Sequence, residues 1–374
     1  MLVASSLEST GELDAARDLY ERVLQGHEAV ARRERDERGV AMAAQLLGDL
    51  LVSMHRLDAA RPLLDRALAI REKHQPDGFA VASVLLDQAR LQEASNDRAA
   101  ARTSLERALA IRERVYGANH PQVAAILILL ADMDVEDDKF AAARPRFERA
   151  LQIRETAYGP AHWSTARATA HLAYLDDTEG KHVSALKLMV QSLAVEEKAL
   201  GKDHPSLASV LSGLGYISLR ASDAAAAKTH FARSVAIQRG AKGVPGGMLA
   251  SSLLGLADAS RELGEHAAAA PLYEEALQLQ QRSHGADHPL VASVLESQAT
   301  SLERANRPVE AAAALERVLI IRQGTLGPDH VATARTMVRL GNALLDAGKG
   351  ERARSLCEEA VSYTHLTLPT NREV

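Results

Sequence analysis

The sequence predicts an all-α fold, a solenoid of about nine helix-turn-helix hairpins packed side by side. Three observations carry that expectation. Glycines at positions 117, 159, 201, 243, 285 and 327 recur every 42 residues, a period that marks stacked repeats. Nine alanines (Ala16, Ala60, Ala101, Ala143, Ala185, Ala227, Ala269, Ala311 and Ala353) each follow a turn residue by five positions and another small residue by twelve. Between these marks apolar residues fall at helical spacing, and no strand-like alternation competes before the C-terminal tail.

Each unit reads in one order. Helix A comes first; in one unit it spans 121–136, with Val123, Leu127 and Leu130 on a single stripe. It carries the small column: Ala4, Gly48, Ala89, Ala131, Ala173, Gly215, Ala257, Ala299 and Gly341. A turn residue follows: Gly11, His55, Asn96, Asp138, Gly180, Ser222, Gly264, Asn306 or Gly348. Helix B comes next, with Phe140, Phe147, Leu151 and Ile153 as its apolar residues in the same unit. Two tiny residues facing each other across the turn let the helix backbones approach closely. One hairpin cannot bury its own stripe, so neighbours must stack and share a core.

Composition narrows the function. The chain has 374 residues, is 47% hydrophobic but only 3% aromatic, and carries a net charge of −5. That balance lacks the basic footprint of a nucleic-acid binder. The dense "ARRERDERG" at 31–39 reads as a solvated helix face. Cys357 is the single cysteine, which leaves no disulfide framework, and it falls in a large-apolar column as a buried filler. The start lacks the blocks of a signal peptide, and the apolar run 123–131 is too short to span a bilayer. A soluble, cytoplasmic protein is expected, with no membrane or nucleic-acid partner.

The stretch "LGKDHP" (200–205) returns as "YGANHP" (116–121), "YGPAHW" (158–163), "HGADHP" (284–289) and "LGPDHV" (326–331). It reads as a structural joint between one helix B and the next helix A. Glycine would supply a left-handed C-terminal cap, and proline suits the first turn. Asn119, Asp203 or the imidazole would accept backbone N–H groups. A shared metal is excluded by distance. Equivalent residues in stacked units lie ~10 Å apart, whereas two ligands of one zinc must lie within ~4 Å. No motif of hydrolases, nucleotide binders or metalloproteases is present, so no catalysis, metal or cofactor is expected.

The pattern of small residue, alanine, large apolar residue (Phe147, Met189, Phe231, Tyr273, Leu315) and second small residue (Ala150, Ser192, Ser234, Ala276) resembles the tetratricopeptide repeat. With "RALAIRERVYGANHP" (107–121) and "RALQIRETAYGPAH" (149–162), it is similar to the 42-residue type of kinesin light chains, which bacterial multidomain proteins also carry. The resemblance covers residues 1–361. It implies a right-handed solenoid and a non-catalytic scaffold that binds a peptide or protein segment on a concave face lined by helix A. The family's groove positions imply Arg90, Asp132, Tyr174, Tyr216, Asp258, Thr300 and Asn342 at position nine of the motif. They imply Arg167, Ser209 and Arg335 at position two, and Arg261 and Glu303 at position twelve. Position five (Leu86, Ile128, Ala170, Ser212, Leu254, Glu296, Val338) lacks the family's asparagine, so a helix or folded partner is as natural an occupant as an extended peptide.

The pattern breaks twice. "RGAKGVPGGM" (239–248) replaces the histidine joint, and a soft connection is expected at 240–247. After residue 361, "SYTHLTLPTNREV" fits no column and resembles a cloning or sequencing-adaptor tail. The expectation is a fragment of a larger multidomain signalling or regulatory protein. The alternative is a structural solenoid that self-associates through uncapped ends.

Overall fold

A computed structural model describes residues 4, 7, 12–34, 36–241 and 245–367, apart from the side chains of Glu34 and of 361–367. Among the described residues all regular structure is helical. The elements are α1 (Leu13–Glu34), α2 (Arg38–Ser53), α3 (Leu57–His74), α4 (Phe79–Ala94), α5 (Arg98–Tyr116), α6 (Pro121–Glu136), α7 (Phe140–Tyr158) and α8 (Trp163–Thr178). They continue as α9 (His182–Leu200), α10 (Leu207–Arg220), α11 (Ala224–Gly240), α12 (Gly246–Glu262), α13 (His266–His284), α14 (Pro289–Arg304), α15 (Pro308–Leu326), α16 (Val331–Asp346) and α17 (Gly350–Thr367). Even numbers are A helices and odd numbers B helices. The chain divides into two compact units, 1–180 with α1–α8 and 181–374 with α9–α17. Each is a stack of hairpins, so the fold is an all-α solenoid of repeats. Helix α17 continues to Thr367, past the predicted repeat boundary. Gly11, residues 242–244 of the expected soft connection and 368–374 of the tail lie outside the described residues.

The small columns are where the helices touch. The nine predicted alanines of helix B are all buried. Where the opposing small residue is glycine, a large side chain fills its place: a Cβ on Gly48 would meet Leu64 at 2.8 Å, and one on Gly215 would meet the Phe231 ring at 2.6 Å. Cys357 Sγ stands 2.7 Å from the Cβ position of Gly341, with the cysteine half-buried rather than fully covered.

Two kinds of positive-φ residue shape the connections. The turn column takes the left-handed helical region, from Asn306 at φ 55° to Gly180 at 79°. Asparagine, aspartate and serine reach this region at modest cost, which is why His55, Asn96, Asp138, Ser222 and Asn306 share the column with glycine. The turns at His55, Asn96, Asp138, Ser222, Gly264, Asn306 and Gly348 close the hairpin as Lys139 N does, donating to Asp134 O at 2.7 Å. The joint glycines differ from the left-handed cap expected of them. Gly117, Gly159, Gly201, Gly285 and Gly327 have φ of 83–91° but ψ of 154–164°. That extended positive-φ region is open essentially to glycine alone, so this column admits no substitute.

The joint histidines cap the following helix. Nδ1 of His120, His162, His204, His288 and His330 accepts the N–H of the residue two further on, at 3.1–3.2 Å. Asn119 and Asp203 make no capping bond. His120 and His162 stack on the tyrosines that end the preceding helices, Tyr116 and Tyr158, at 4.6 and 4.7 Å between centroids. Replacing His330 by alanine is expected to cost about 1 kcal/mol, the usual worth of a lost cap. Asparagine, which keeps an acceptor, is expected to cost less than half of that. Urea midpoints of the two variants decide it, and equal losses would show that the ring's packing, not its acceptor, matters.

Successive B helices are tied by ion pairs one repeat apart: Arg107 to Glu72 at 2.6 Å, Arg149 to Glu113 at 2.7 Å, Arg239 to Glu275 at 2.5 Å and Arg352 to Glu316 at 2.8 Å. Such partly exposed pairs add little stability each. The first three share one register, with the charges exchanged in the Arg239–Glu275 pair. No helix among the described residues is long and apolar enough to cross a membrane.

Candidate functional site

The candidate binding residues stand on the A helices, and many of them join one A helix to the next. In unit 1, Arg90 on α4 pairs with Asp49 on α2 at 2.9 Å and with Asp87 one turn back. Asp132 on α6 lies 3.1 Å from Nδ1 of His171 on α8. In unit 2, the Tyr216 hydroxyl on α10 donates to Ser251 O on α12 at 3.0 Å. Asp258 on α12 accepts from Tyr273 Oη at 2.8 Å and lies 2.8 Å from Arg261. Thr300 and Glu303 on α14 both accept from Arg339 on α16, at 2.5 and 2.8 Å. Position nine in both units, joined by position twelve in unit 2, therefore forms a polar seam across the A helices.

The remaining candidates are exposed. Arg167 and Tyr174 on α8, Ser209 on α10, and Arg335 and Asn342 on α16 face solvent. The two tyrosines part company here. Tyr174 is 42% exposed, whereas Tyr216 packs edge-on against Phe231 at 4.8 Å and 80°. Burial pushes the Tyr216 phenol up to about 12. Burial also raises the carboxyls of Asp87 and Asp258 above their ordinary range, with Gln45 and Arg90 opposing this at Asp87 and Arg261 and Tyr273 at Asp258. These acids stay close to their partners because water has been taken away.

A second polar column, on helix B, lies beneath the seam: Arg71, Arg112, Arg154, Glu196, Gln238, Gln280 and Arg322. Its arginines at 112, 154 and 322 bond to the N-terminal halves of A helices. Arg112 donates to Ser83 Oγ on α4 at 3.0 Å and to Gln122 Oε1 on α6 at 3.1 Å. Arg154 donates to Ser164 O on α8 at 2.9 Å. Arg322 donates to Thr336 Oγ1 on α16 at 2.6 Å. Buried atoms in this column lack a hydrogen-bond partner, namely Nε of Arg71 and Arg112 and Oε1 of Gln238 and Gln280. Sequence reasoning missed the column because arginine, glutamate and glutamine share no obvious chemistry. The recurrent "IR" in "ALAIREKH", "RALAIRERVYG" and "RALQIRETAYG" was the available signal.

Among the described residues no group of three or more metal-ligating side chains gathers.

The family model described as tetratricopeptide repeat matches residues 1–73, 39–114, 80–156, 164–240, 248–319 and 307–363. No curated protein matches the chain by sequence. Among solved structures, the chain is similar to the nearly identical TPR-like repeats of a Podosopora anserina kinesin light chain, at 24% identity over 57% of this chain and 99% of that one, with a TM-score of 0.50. It is similar to the apo form of the quorum sensor NprR from B. thuringiensis, at 15% identity over 96% of this chain and 99% of that one, TM-score 0.63. A signal transduction ATPase with numerous domains from Pyrococcus horikoshii, which has a tetratricopeptide repeat sensor, aligns at 14% identity over 94% of this chain and 53% of its own, TM-score 0.63. These structural likenesses concern the fold. The matched repeats run through nearly the whole sequence, and the chain belongs to the tetratricopeptide repeat family.

Proposed function

We propose that the chain is a non-catalytic interaction scaffold, part of a larger signalling or regulatory protein, and that it binds a peptide or protein segment along its A helices. The observation that carries this reading is the seam: polar groups at one register link successive A helices, with exposed Tyr174, Arg167, Arg335 and Asn342 beside them. Two of the structural neighbours are sensors by description, which fits a surface that reads a ligand.

The test is a random peptide library panned on the full chain, followed by calorimetric titration of the selected peptide. Asp132→Ala and Tyr174→Ala are each expected to weaken binding about tenfold, as for residues near the centre of an interface. Glu148→Ala, exposed on α7, is expected to leave it unchanged. Binding that responds only to the α7 change would overturn the assignment to the A helices.

A further inference from the structure

In unit 1 an arginine fills the space between a B helix and the following A helix. Arg102 of α5 donates to Asp134 and Asp137 of α6 at 2.7 and 3.1 Å. Arg144 of α7 donates to Asp176 and Glu179 of α8, each at 2.6 Å. In unit 2, three repeats after Arg144, the same three positions are Ala270 on α13 and Leu302 and Ala305 on α14. The arginine and both carboxylates have gone together. A cavity of about 460 Å³ lies there, lined by all three of the replacing residues, and that volume is in the range of small-molecule sites. Loss of the arginine does not by itself open a space, because Ala312 of α15, in the same column as Ala270, is buried.

The floor of the cavity is hydrocarbon, from Ala267, Ala270, Pro271, Leu302 and Ala305. Three polar groups of its walls are weakly engaged among the described residues. The side-chain amide of Gln298 makes no hydrogen bond. Ser301 is buried, and its hydroxyl meets only Nδ1 of His266, at a long 3.4 Å. The exposed Glu274 carboxylate forms no ion pair and meets only the amide of Gln278, one turn on, at 3.1 Å. The one arginine of the lining, Arg307, is held by Glu310 through both arms of its fork, at 2.7 and 2.6 Å. With that pair closed, the charge left over on the rim is the carboxylate of Glu274.

We infer that this cavity is a second binding site, for a small organic cation: a primary amine or guanidinium carried on a short apolar body. The body covers Ala270, Leu302 and Ala305, which removes apolar surface from water. The cation meets Glu274 in a charge-assisted hydrogen bond, and Gln298 and Ser301 remain open to a further polar group. The site shares only the Tyr273 side chain with the seam, and it does not rest on the peptide-binding reading of the A helices.

Phenethylamine is titrated into the full chain by calorimetry, beside phenethyl alcohol and 3-phenylpropanoate, which keep the body and change the charge. The amine is expected to bind about threefold tighter than the alcohol, the worth of one exposed charge pair, and the carboxylate to bind most weakly. Glu274→Gln should lower the amine to the level of the alcohol and leave the alcohol unchanged. Ala270→Leu, which gives α13 the residue that α9 carries at this position, should fill the floor and weaken both at least tenfold. Glu274 is exposed, so its change carries the test even where Ala270→Leu fails to fold. An alcohol that binds as tightly as the amine, or a preference that survives Glu274→Gln, would overturn the cation. Undiminished binding by a folded Ala270→Leu variant, or no binding of any of the three compounds, would overturn the cavity as a site.

Discussion

Replacing Phe231 by alanine is expected to cost about 3–5 kcal/mol, the range for a fully buried phenylalanine. Its ring is completely covered and sits between two glycines of neighbouring A helices. A Cβ on Gly215 would stand 2.6 Å from the ring and one on Gly255 2.3 Å. Tyr216 rests edge-on against the same ring, so the cavity would also loosen a residue of the seam. The glycines sharpen the test. Gly255→Ala alone should destabilise by about 1–3 kcal/mol through overpacking. In the Phe231→Ala background the obstructing ring is gone, and the same change should be neutral or gain up to about 1 kcal/mol from helix propensity. A double-mutant cycle in urea measures this coupling, and additive losses would mean that the two helices do not meet at that ring.

The second large effect is expected at Asp258. Asp258→Ala strands the Arg261 guanidinium and the Tyr273 hydroxyl, both of which use this carboxylate. Removing one partner of a largely buried pair costs about 3 kcal/mol or more. The pH dependence carries a definite sign. Burial raises the folded-state value of Asp258 above its ordinary 3.8, so the folded protein holds this proton more tightly than the unfolded chain. The resulting stability is complete below the ordinary value and is lost as pH rises from there through the raised value. Asp258→Asn removes that titration. The difference in unfolding free energy, wild type minus variant, should therefore fall with pH across this window. Asp87 shifts in the same direction but titrates in both proteins and cancels. A difference that grows with pH would overturn the account.

The fold was legible because its demands on single residues are severe. A buried alanine against a glycine or alanine, a left-handed turn and a glycine-only joint each leave a mark of one residue at a fixed step. Phe231 and Gly215 could be placed in their columns from the sequence alone. The site was only partly legible. Arg90, Asp258, Arg261, Thr300 and Glu303 sat at the predicted positions, yet their engagement with Asp49, Tyr273 and Arg339 depends on side-chain reach between helices, which spacing does not encode. Arg322 and Glu296 belong to different columns, and only the packed layers bring them together. Tyr174 and Tyr216 occupy one column, and the deciding difference is the phenylalanine that lies under the second.

The ion pairs between successive B helices have a consequence for the gene. Each reaches one repeat away, so where the new neighbour carries the same charge a whole repeat can be lost by unequal exchange without orphaning its partner. Loss of residues 285–326 would bring Arg352 to the register of Glu274, which stands 42 residues before its present partner Glu316. The incoming helix would find a carboxylate where it left one. Where the rungs match in this way an array can change length within a lineage, and the length of its A-helix face becomes a quantity that recombination can adjust.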